Sequence, residues 1–254
     1  MRFTIDGREV EGITGETILE TAKREGIDIP TLCHHPAFQG QGRCRMCLVE
    51  VSREGRKRIV ASCTYPVTEE MDEMEVTTST PEIEEIRKDI IMFLYKQAPE
   101  SSLMQDLYRN YKCEENSLRE NKGERCILCN LCVMACEKMG TGAISQVLRG
   151  TEKKLGTPYD EASPDCIGCG ACAAVCPTGA IELKDEEETW KRHIWHQDFD
   201  LVACARCGHL FATREQVDFI AEHEGHTRKP ILYCETCRKK NAVGIIAEFR
   251  QGLV

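Results

Sequence analysis

Hydrophobic and polar positions alternate over short stretches from the first residues onward. Residues 2–12, RFTIDGREVEG, read as two short strands joined by an Asp-Gly turn, a strong hairpin signal. Residues 15–27, GETILETAKREGI, switch to helical spacing, with Ile18, Leu19 and Ala22 on one face and Gly26 near the end. Alternation returns in CLVEVSREGRKRIVASC, residues 47–63, which predicts a second hairpin turning at Gly55. MDEMEVTT, residues 71–78, is expected to close that sheet. Ile83, Ile86, Ile90 and Leu94 then recur at helical spacing behind Pro81, predicting a packing helix, and SSLMQDLYRNY a second short one. Residues 143–154, AISQVLRGTEKK, look strand-like. Residues 213–223, TREQVDFIAEH, look helical, with Val217 and Ile220 as an apolar stripe and Thr213 and Gln216 spaced as a capping box. No apolar run approaches the ~18 to 20 residues a membrane helix needs.

Composition changes this picture in one respect. Only 6% of the 254 residues are aromatic, yet 17 are cysteine. Small domains with thin cores need disulfides or metals to hold them. The opening MRFTIDGREVEG is charged and has no apolar signal-peptide core, so the expected location is the cytoplasm. In a reducing compartment, dense cysteines indicate metal or redox chemistry rather than disulfides. A net charge of -9 argues against a nucleic-acid partner, which calls for a basic footprint.

The cysteines fall into four groups of four, with Cys113 left over. Four is the thiolate number for a [2Fe–2S], a [4Fe–4S] or a tetrahedral zinc site, so spacing must decide among them. CILCNLCVMACE (Cys126, Cys129, Cys132, Cys136) and CIGCGACAAVCP (Cys166, Cys169, Cys172, Cys176) are an internal repeat of C-x2-C-x2-C-x3-C. This is the bacterial ferredoxin run, in which the fourth cysteine ligates the other cluster. One [4Fe–4S] is therefore expected on Cys126, Cys129, Cys132 and Cys176, the other on Cys166, Cys169, Cys172 and Cys136. Zinc knuckles use one C-x2-C pair and a distant second pair, not three consecutive steps. Gly168 and Gly170 suit a loop whose backbone closely approaches inorganic sulfide. PTGAI (177–181) and GTGAI (140–144) are each expected to turn the chain back into a short strand. Glu137 stands where the second run has Pro177, which should reshape a turn and leave the ligands intact.

The first group, Cys33, Cys44, Cys47 and Cys63, shares the C-x2-C and the distant fourth cysteine of the plant-type [2Fe–2S] run, with a longer first gap. The surrounding hairpins and helix match a β-grasp fold. His34 and His35 are read as packing or hydrogen-bonding groups, because four cysteines already fill the site and a Rieske centre takes two Cys and two His. Arg43 and Arg45 are either tuning charges or solvated ones. The last group, Cys204, Cys207, Cys234 and Cys237, consists of two distant C-x2-C knuckles, as in a zinc ribbon or a rubredoxin-like iron site. Zinc is the first expectation. Iron stays open, as do His223 and His226 as alternative ligands or a solvated pair.

CHHPAFQGQGRCRMCLVEV, residues 33–51, resembles the N-terminal ferredoxin domain of the large iron–sulfur subunit of respiratory complex I, and the matching parts of NAD-linked hydrogenases and formate dehydrogenases. Nearly the whole chain resembles that region and the diaphorase-side small subunit of NAD-reducing hydrogenases. RCGHLFATREQVDFI and CETCRKK resemble the tail of the ferredoxin-like subunit of formate hydrogenlyase complexes. Complex I relatives often carry a His-x3-Cys-x2-Cys-x5-Cys site in the link between ferredoxin domains. This link has only Cys113 and no His, so that cluster is expected to be absent and Cys113 to be a buried or incidental thiol.

The expected architecture is α+β: a [2Fe–2S] domain over 1–80, a helical linker over 81–121, a two-[4Fe–4S] ferredoxin domain over 122–188 and a four-cysteine metal-binding tail over 189–254. The acidic IELKDEEET, residues 181–189, reads as a solvated linker or a docking surface. No G-x-G-x-x-G, P-loop or Ser-His-Asp arrangement is legible, so no substrate site is expected in the chain. The resemblance implies an electron-transfer subunit of a multisubunit oxidoreductase. It would relay single electrons through one [2Fe–2S] and two [4Fe–4S] clusters between a flavoprotein, NAD(P)H or ferredoxin partner and a catalytic subunit acting on formate, an aldehyde or hydrogen. Two rivals are a stand-alone multicluster ferredoxin shuttle and a zinc-rich scaffold.

Overall fold

In a computed structural model of the chain, residues 1–189, 191–223 and 232–240 are described. His226 lies outside them. The chain divides into two compact units: residues 1–134 with 175–180, and residues 135–174 with the described part of 181–254.

The first unit opens with β1 (Arg2–Ile5) and β2 (Arg8–Glu11), followed by α1 (Ile18–Arg24), β3 (Leu48–Arg53), β4 (Arg56–Ala61) and β5 (Glu75–Thr77). The strands form one sheet in the order β2-β1-β5-β3-β4, with β1 and β5 parallel and the other pairs antiparallel. Both predicted hairpins close through left-handed pairs, Asp6-Gly7 at φ 50° and 76° and Glu54-Gly55 at φ 51° and 78°. Two-residue turns of this hand match the twist of the strands they join. α1 starts on a capping box: Glu20 N–H donates to Thr17 Oγ1, and the Thr17 N–H donates to the Glu20 carboxylate at 2.7 Å. Its Ile18, Leu19 and Ala22 are buried with Phe3, Ile5, Val49, Val51 and Val76. α2 (Pro81–Gln97) and α3 (Ser102–Asn110) follow, capped by Thr80 and Ser101.

Arg87, on α2, is the unusual member of this unit, with its side chain 3% exposed. Its Nε donates to Met46 O at 3.1 Å, and its Nη2 donates to Leu48 O at 2.8 Å and Thr78 O at 2.9 Å, while Nη1 pairs with Glu84 at 2.7 Å. Met46 and Leu48 flank Cys47, so a charge on the helix fixes the backbone on either side of a candidate ligand.

α4 (Leu131–Lys138) carries the end of the first cysteine run. The second unit then contains β6 (Ser145–Val147), β7 (Lys154–Gly156), α5 (Ala171–Ala174), β8 (Lys184–Glu186), β9 (Lys191–Ile194), β10 (Gln197–Ala203), β11 (Leu210–Thr213) and α6 (Arg214–His223). β6 and β7 form the inserted hairpin, and β11-β10-β9-β8 a four-stranded antiparallel sheet. GTGAI and PTGAI each turn the chain into a short strand, beginning at Ser145 and at Lys184. One expectation changes. The acidic run is not simply a linker: Lys184–Glu186 is an edge strand, and Asp185 grips Arg192 of β9 through two bonds of 2.7 Å. At α6 the Thr213 hydroxyl caps Gln216 N–H at 3.1 Å and itself donates to Ile167 O. The runs differ at Glu137 and Pro177: α4 continues through Glu137 to Lys138, whereas α5 ends at Ala174, short of Pro177, which cannot donate to a helix.

Replacing Arg87 by Met should take its donors from two buried carbonyls and one half-buried one and destabilise the first unit by roughly 3 kcal/mol. Urea unfolding followed by circular dichroism should show the midpoint falling. An unchanged midpoint would contradict the role given to the guanidinium.

Candidate metal centres

In the first unit, Cys33, Cys44, Cys47 and Cys63 are all buried. They associate as two pairs. The hydrogen bond from Cys44 holds the Cys33 thiol down at about 6 against the effect of burial, and Cys63 does the same for Cys47. The partners Cys44 and Cys63 are pushed up by those same bonds and by burial. Two thiol pairs are what a diiron centre with four cysteine ligands requires. The Cys44 N–H also donates to Cys33 Sγ at 3.3 Å. The loop between Cys33 and Cys44 packs so tightly that a Cβ on Gly40 would fall 1.9 Å from Cys63 O. The sequence reading overlooked Gly40, although the glycine-spaced FQGQG was its visible sign. His34 and His35 are engaged elsewhere: Lys23 Nζ lies 2.9 Å from His34 Nδ1, and His35 Nδ1 accepts from Ala37 N–H and packs on Phe38. Arg43 Nε donates to Gln41 Oε1 at 2.8 Å.

The same unit contains Cys126, Cys129, Cys132 and Cys176, so the last cysteine of the second run folds with the first three of the first. The second unit contains the converse set, Cys136 with Cys166, Cys169 and Cys172. These four line one small cavity of about 20 Å³, along with Ile144, Ile194 and Trp195. Backbone donors surround the sulfurs at repeated positions. Leu128 N–H donates to Cys126 Sγ at 3.3 Å. Ala143 N–H donates to Cys136 Sγ at 3.2 Å, and Ala180 N–H to Cys176 Sγ at 3.3 Å. GTGAI and PTGAI thus do equivalent work, each presenting an amide to sulfur. Gly168 and Gly170 lie at φ 62° and 74°, and their counterparts Leu128 and Asn130 adopt 54° and 74° despite having side chains. N–H groups aimed at thiolate sulfur are the protein's means of stabilising and tuning a cluster. Burial pushes the Cys126 thiol up to about 12 and those of Cys129 and Cys172 up to about 11. Loading these sites with iron must therefore release protons.

Cys113 is half-buried beside the hydrophobic cluster of α2 and α3, with its Sγ donating to Lys88 O at 3.6 Å. In the tail, the Sγ atoms of Cys204, Cys207, Cys234 and Cys237 all lie within 4.8 Å of one another, close enough to share a single ion. The Cys207 and Cys234 sulfurs are 3.7 Å apart. Backbone bonds cross between the knuckles, from Ala205 N–H to Leu232 O at 2.9 Å. Burial raises the Cys204 thiol, but N–H groups of Cys234, Arg206 and Cys207 outweigh it and bring it down to about 6. His223 Nδ1 faces Phe219 O on its own helix at 2.9 Å. Among the described residues, no helix is long and apolar enough to cross a membrane.

Comparison with known proteins fits this arrangement. A 2Fe-2S iron-sulfur cluster binding domain matches residues 1–81, and 4Fe-4S dicluster domains match residues 121–183 and 165–210. The chain is 31% identical over 235 residues to an NADH-quinone oxidoreductase subunit of Rhizobium meliloti (strain 1021), covering 82% of this chain and 27% of that one. It is 31% identical over 225 residues to NADP-reducing hydrogenase subunit HndD of Solidesulfovibrio fructosivorans, covering 75% and 37%. The NADH-ubiquinone oxidoreductase 75 kDa subunit of Reclinomonas americana is 32% identical, covering 71% and 29%. The chain thus spans about a third of the length of these relatives. A chain of an NAD+-reducing [NiFe]-hydrogenase solved in the H2-reduced state aligns with a TM-score of 0.59 and 26% identity, over 70% of this chain and 85% of that one. The chain is a homologue of the complex I 75 kDa and NAD-reducing hydrogenase subunits, and it carries a 2Fe–2S cluster binding domain followed by 4Fe–4S dicluster domains.

Proposed function

We propose that the chain relays single electrons between a flavoprotein, NAD(P)H-linked or ferredoxin partner and a catalytic subunit acting on formate, an aldehyde or hydrogen, in the cytoplasm. Cys33, Cys44, Cys47 and Cys63 would hold the [2Fe–2S], within a β-grasp domain. Cys126, Cys129, Cys132 and Cys176 would hold one [4Fe–4S], and Cys136, Cys166, Cys169 and Cys172 the other. Cys204, Cys207, Cys234 and Cys237 would hold zinc in a ribbon-like tail, where the metal is structural. The bound clusters supply the one-electron chemistry. The chain's own part is to cage them, exclude water and aim amides at sulfur. Gln41 is the observation that carries the relay. It lies between Cys33 and Cys44, accepts from Asn130 Nδ2 at 3.3 Å and donates to Met134 Sδ at 2.7 Å, so the loop of the first cysteine group directly touches the run that begins at Cys126. Electron hopping needs neighbouring sites of this kind. The names of the relatives, which link them to NADH, NADP and NAD+, support the choice of partner.

Anaerobically purified protein should contain about ten iron atoms and one zinc per chain, and dithionite should develop one [2Fe–2S] and two [4Fe–4S] EPR signals. Colourless protein containing zinc alone would falsify the relay, and elution of the native protein as a free monomer in gel filtration would favour a diffusing shuttle over a subunit. Cys63→Ala should lose the [2Fe–2S] signal while keeping both others. Cys113→Ala should keep all three, and loss of any signal from that variant would show that Cys113 is a ligand.

A further inference from the structure

The β9–β10 hairpin turns in two residues, Trp195 and His196, between the paired Ile194 and Gln197. Both lie in the left-handed region, at φ 51° and 60°. Turns of this class favour Asn and Gly because a side chain there is strained, and a tryptophan is a costly choice. Strain of this kind persists where surrounding structure over-determines it, often at functional sites. Here the half-buried indole reaches into the cavity lined by Cys136, Cys166, Cys169 and Cys172, and its Nε1–H donates to Cys172 Sγ at 3.4 Å.

The rest of the hairpin fixes that reach. Arg192, three residues before the turn and clamped by Asp185, donates to Gly168 O at 3.0 Å. Phe199 packs so closely on Gly168 that a Cβ there would fall 2.6 Å from its ring. Thr213 on β11 donates to Ile167 O. Three strands of the C-terminal sheet thus grip the loop of the second cysteine run, and the indole N–H is presented to one of its sulfurs.

We propose that Trp195 is a positioning residue that raises the reduction potential of the [4Fe–4S] site formed by Cys136, Cys166, Cys169 and Cys172, through its N–H···S bond to Cys172. The inference rests on the ligand assignment proposed above. One-electron reduction adds one negative charge, shared with the thiolate sulfurs, and no proton or ligand leaves. A fixed donor to sulfur stabilises the more negative form more strongly, so it favours reduction. Phenylalanine keeps the bulk and removes the donor.

The test is an EPR-monitored redox titration of the full chain, with dithionite as reductant. Trp195→Phe should shift the midpoint of one [4Fe–4S] signal downward, by about tenfold in the reduction equilibrium or ~59 mV for one electron. The other [4Fe–4S] and the [2Fe–2S] should hold their potentials, and His196→Ala should leave all three in place. Trp195→His should recover part of the shift if its ring N–H reaches the sulfur. Two [4Fe–4S] signals with unmoved midpoints in Trp195→Phe overturn the proposal alone, whereas a single [4Fe–4S] signal in the wild-type chain overturns the ligand assignment with it. Should Trp195→Phe fail to assemble the site, wild-type protein carrying 15N-indole tryptophan decides the matter. A hyperfine coupling from indole nitrogen to one reduced [4Fe–4S] signal is expected, and its absence overturns the proposal.

Discussion

A thiolate buried in protein is tolerable only where something neutralises it, and amide N–H groups are the donors the chain always has. That constraint organises both cysteine runs. For an amide two residues beyond a cysteine to turn back toward its sulfur, the backbone must leave the right-handed region. The second run does so at Gly168 and Gly170, where the conformation is free of side-chain strain. The first adopts the same conformation at Leu128 and Asn130 and carries the cost, about 1 kcal/mol or more for a residue such as leucine. The two runs therefore share a backbone shape where they differ in residue type. The later amides of Ala143 and Ala180, each behind a left-handed glycine, complete the pattern at the fourth cysteine of each run.

The cysteine spacing made legible which thiols the fold brings together at the tail and in the cavity of the second run. C-x2-C-x2-C-x3-C has one dominant use, and the Asp-Gly and Glu-Gly turns, the Thr17 and Thr80 caps and the isoleucine stripe of α2 are local signals that local physics honours. What escaped the sequence is long-range. Gly40 matters because of Cys63, Arg87 because of Met46 and Leu48, and Trp195 because of Cys172, pairs separated by roughly twenty to forty positions. GTGAI and PTGAI lead into strands at Ser145 and Lys184, as their turn residues suggested, but the sequence did not show that the Ala143 and Ala180 amides are committed to sulfur, where they cannot also serve a sheet ladder. The acidic run misled differently. Its charges suggested a solvated linker, but an edge strand exposed on both faces is equally polar, and Asp185 is held by Arg192 rather than by water alone.

The four-cysteine tail shows why a metal-binding knuckle pair would be placed on this sheet. The four sulfurs gather at one end of it, with Cys204 immediately after β10 and Cys207 just before β11. A metal there would staple the ends of the two strands that carry Phe199 and Thr213, the residues pressed on Ile167 and Gly168. Small sheets with few buried side chains gain most from such a staple. A metal at the knuckles would in this way support the loop of the second cysteine run through the strands packed on it.

Cys136 and Cys166 line one cavity, and the 29 residues between them form a loop whose closure entropy grows only logarithmically with length. Doubling such a loop costs only about 0.6 kcal/mol. An inserted hairpin such as β6–β7 therefore adds little penalty, and it carries its own ladder from Ser145–Gly156 to Val147–Lys154 to order the added residues. The sites themselves have no such latitude. Within each run the first three cysteines are held at steps of three residues, the spacing that keeps them on one site, and the fourth follows four residues later.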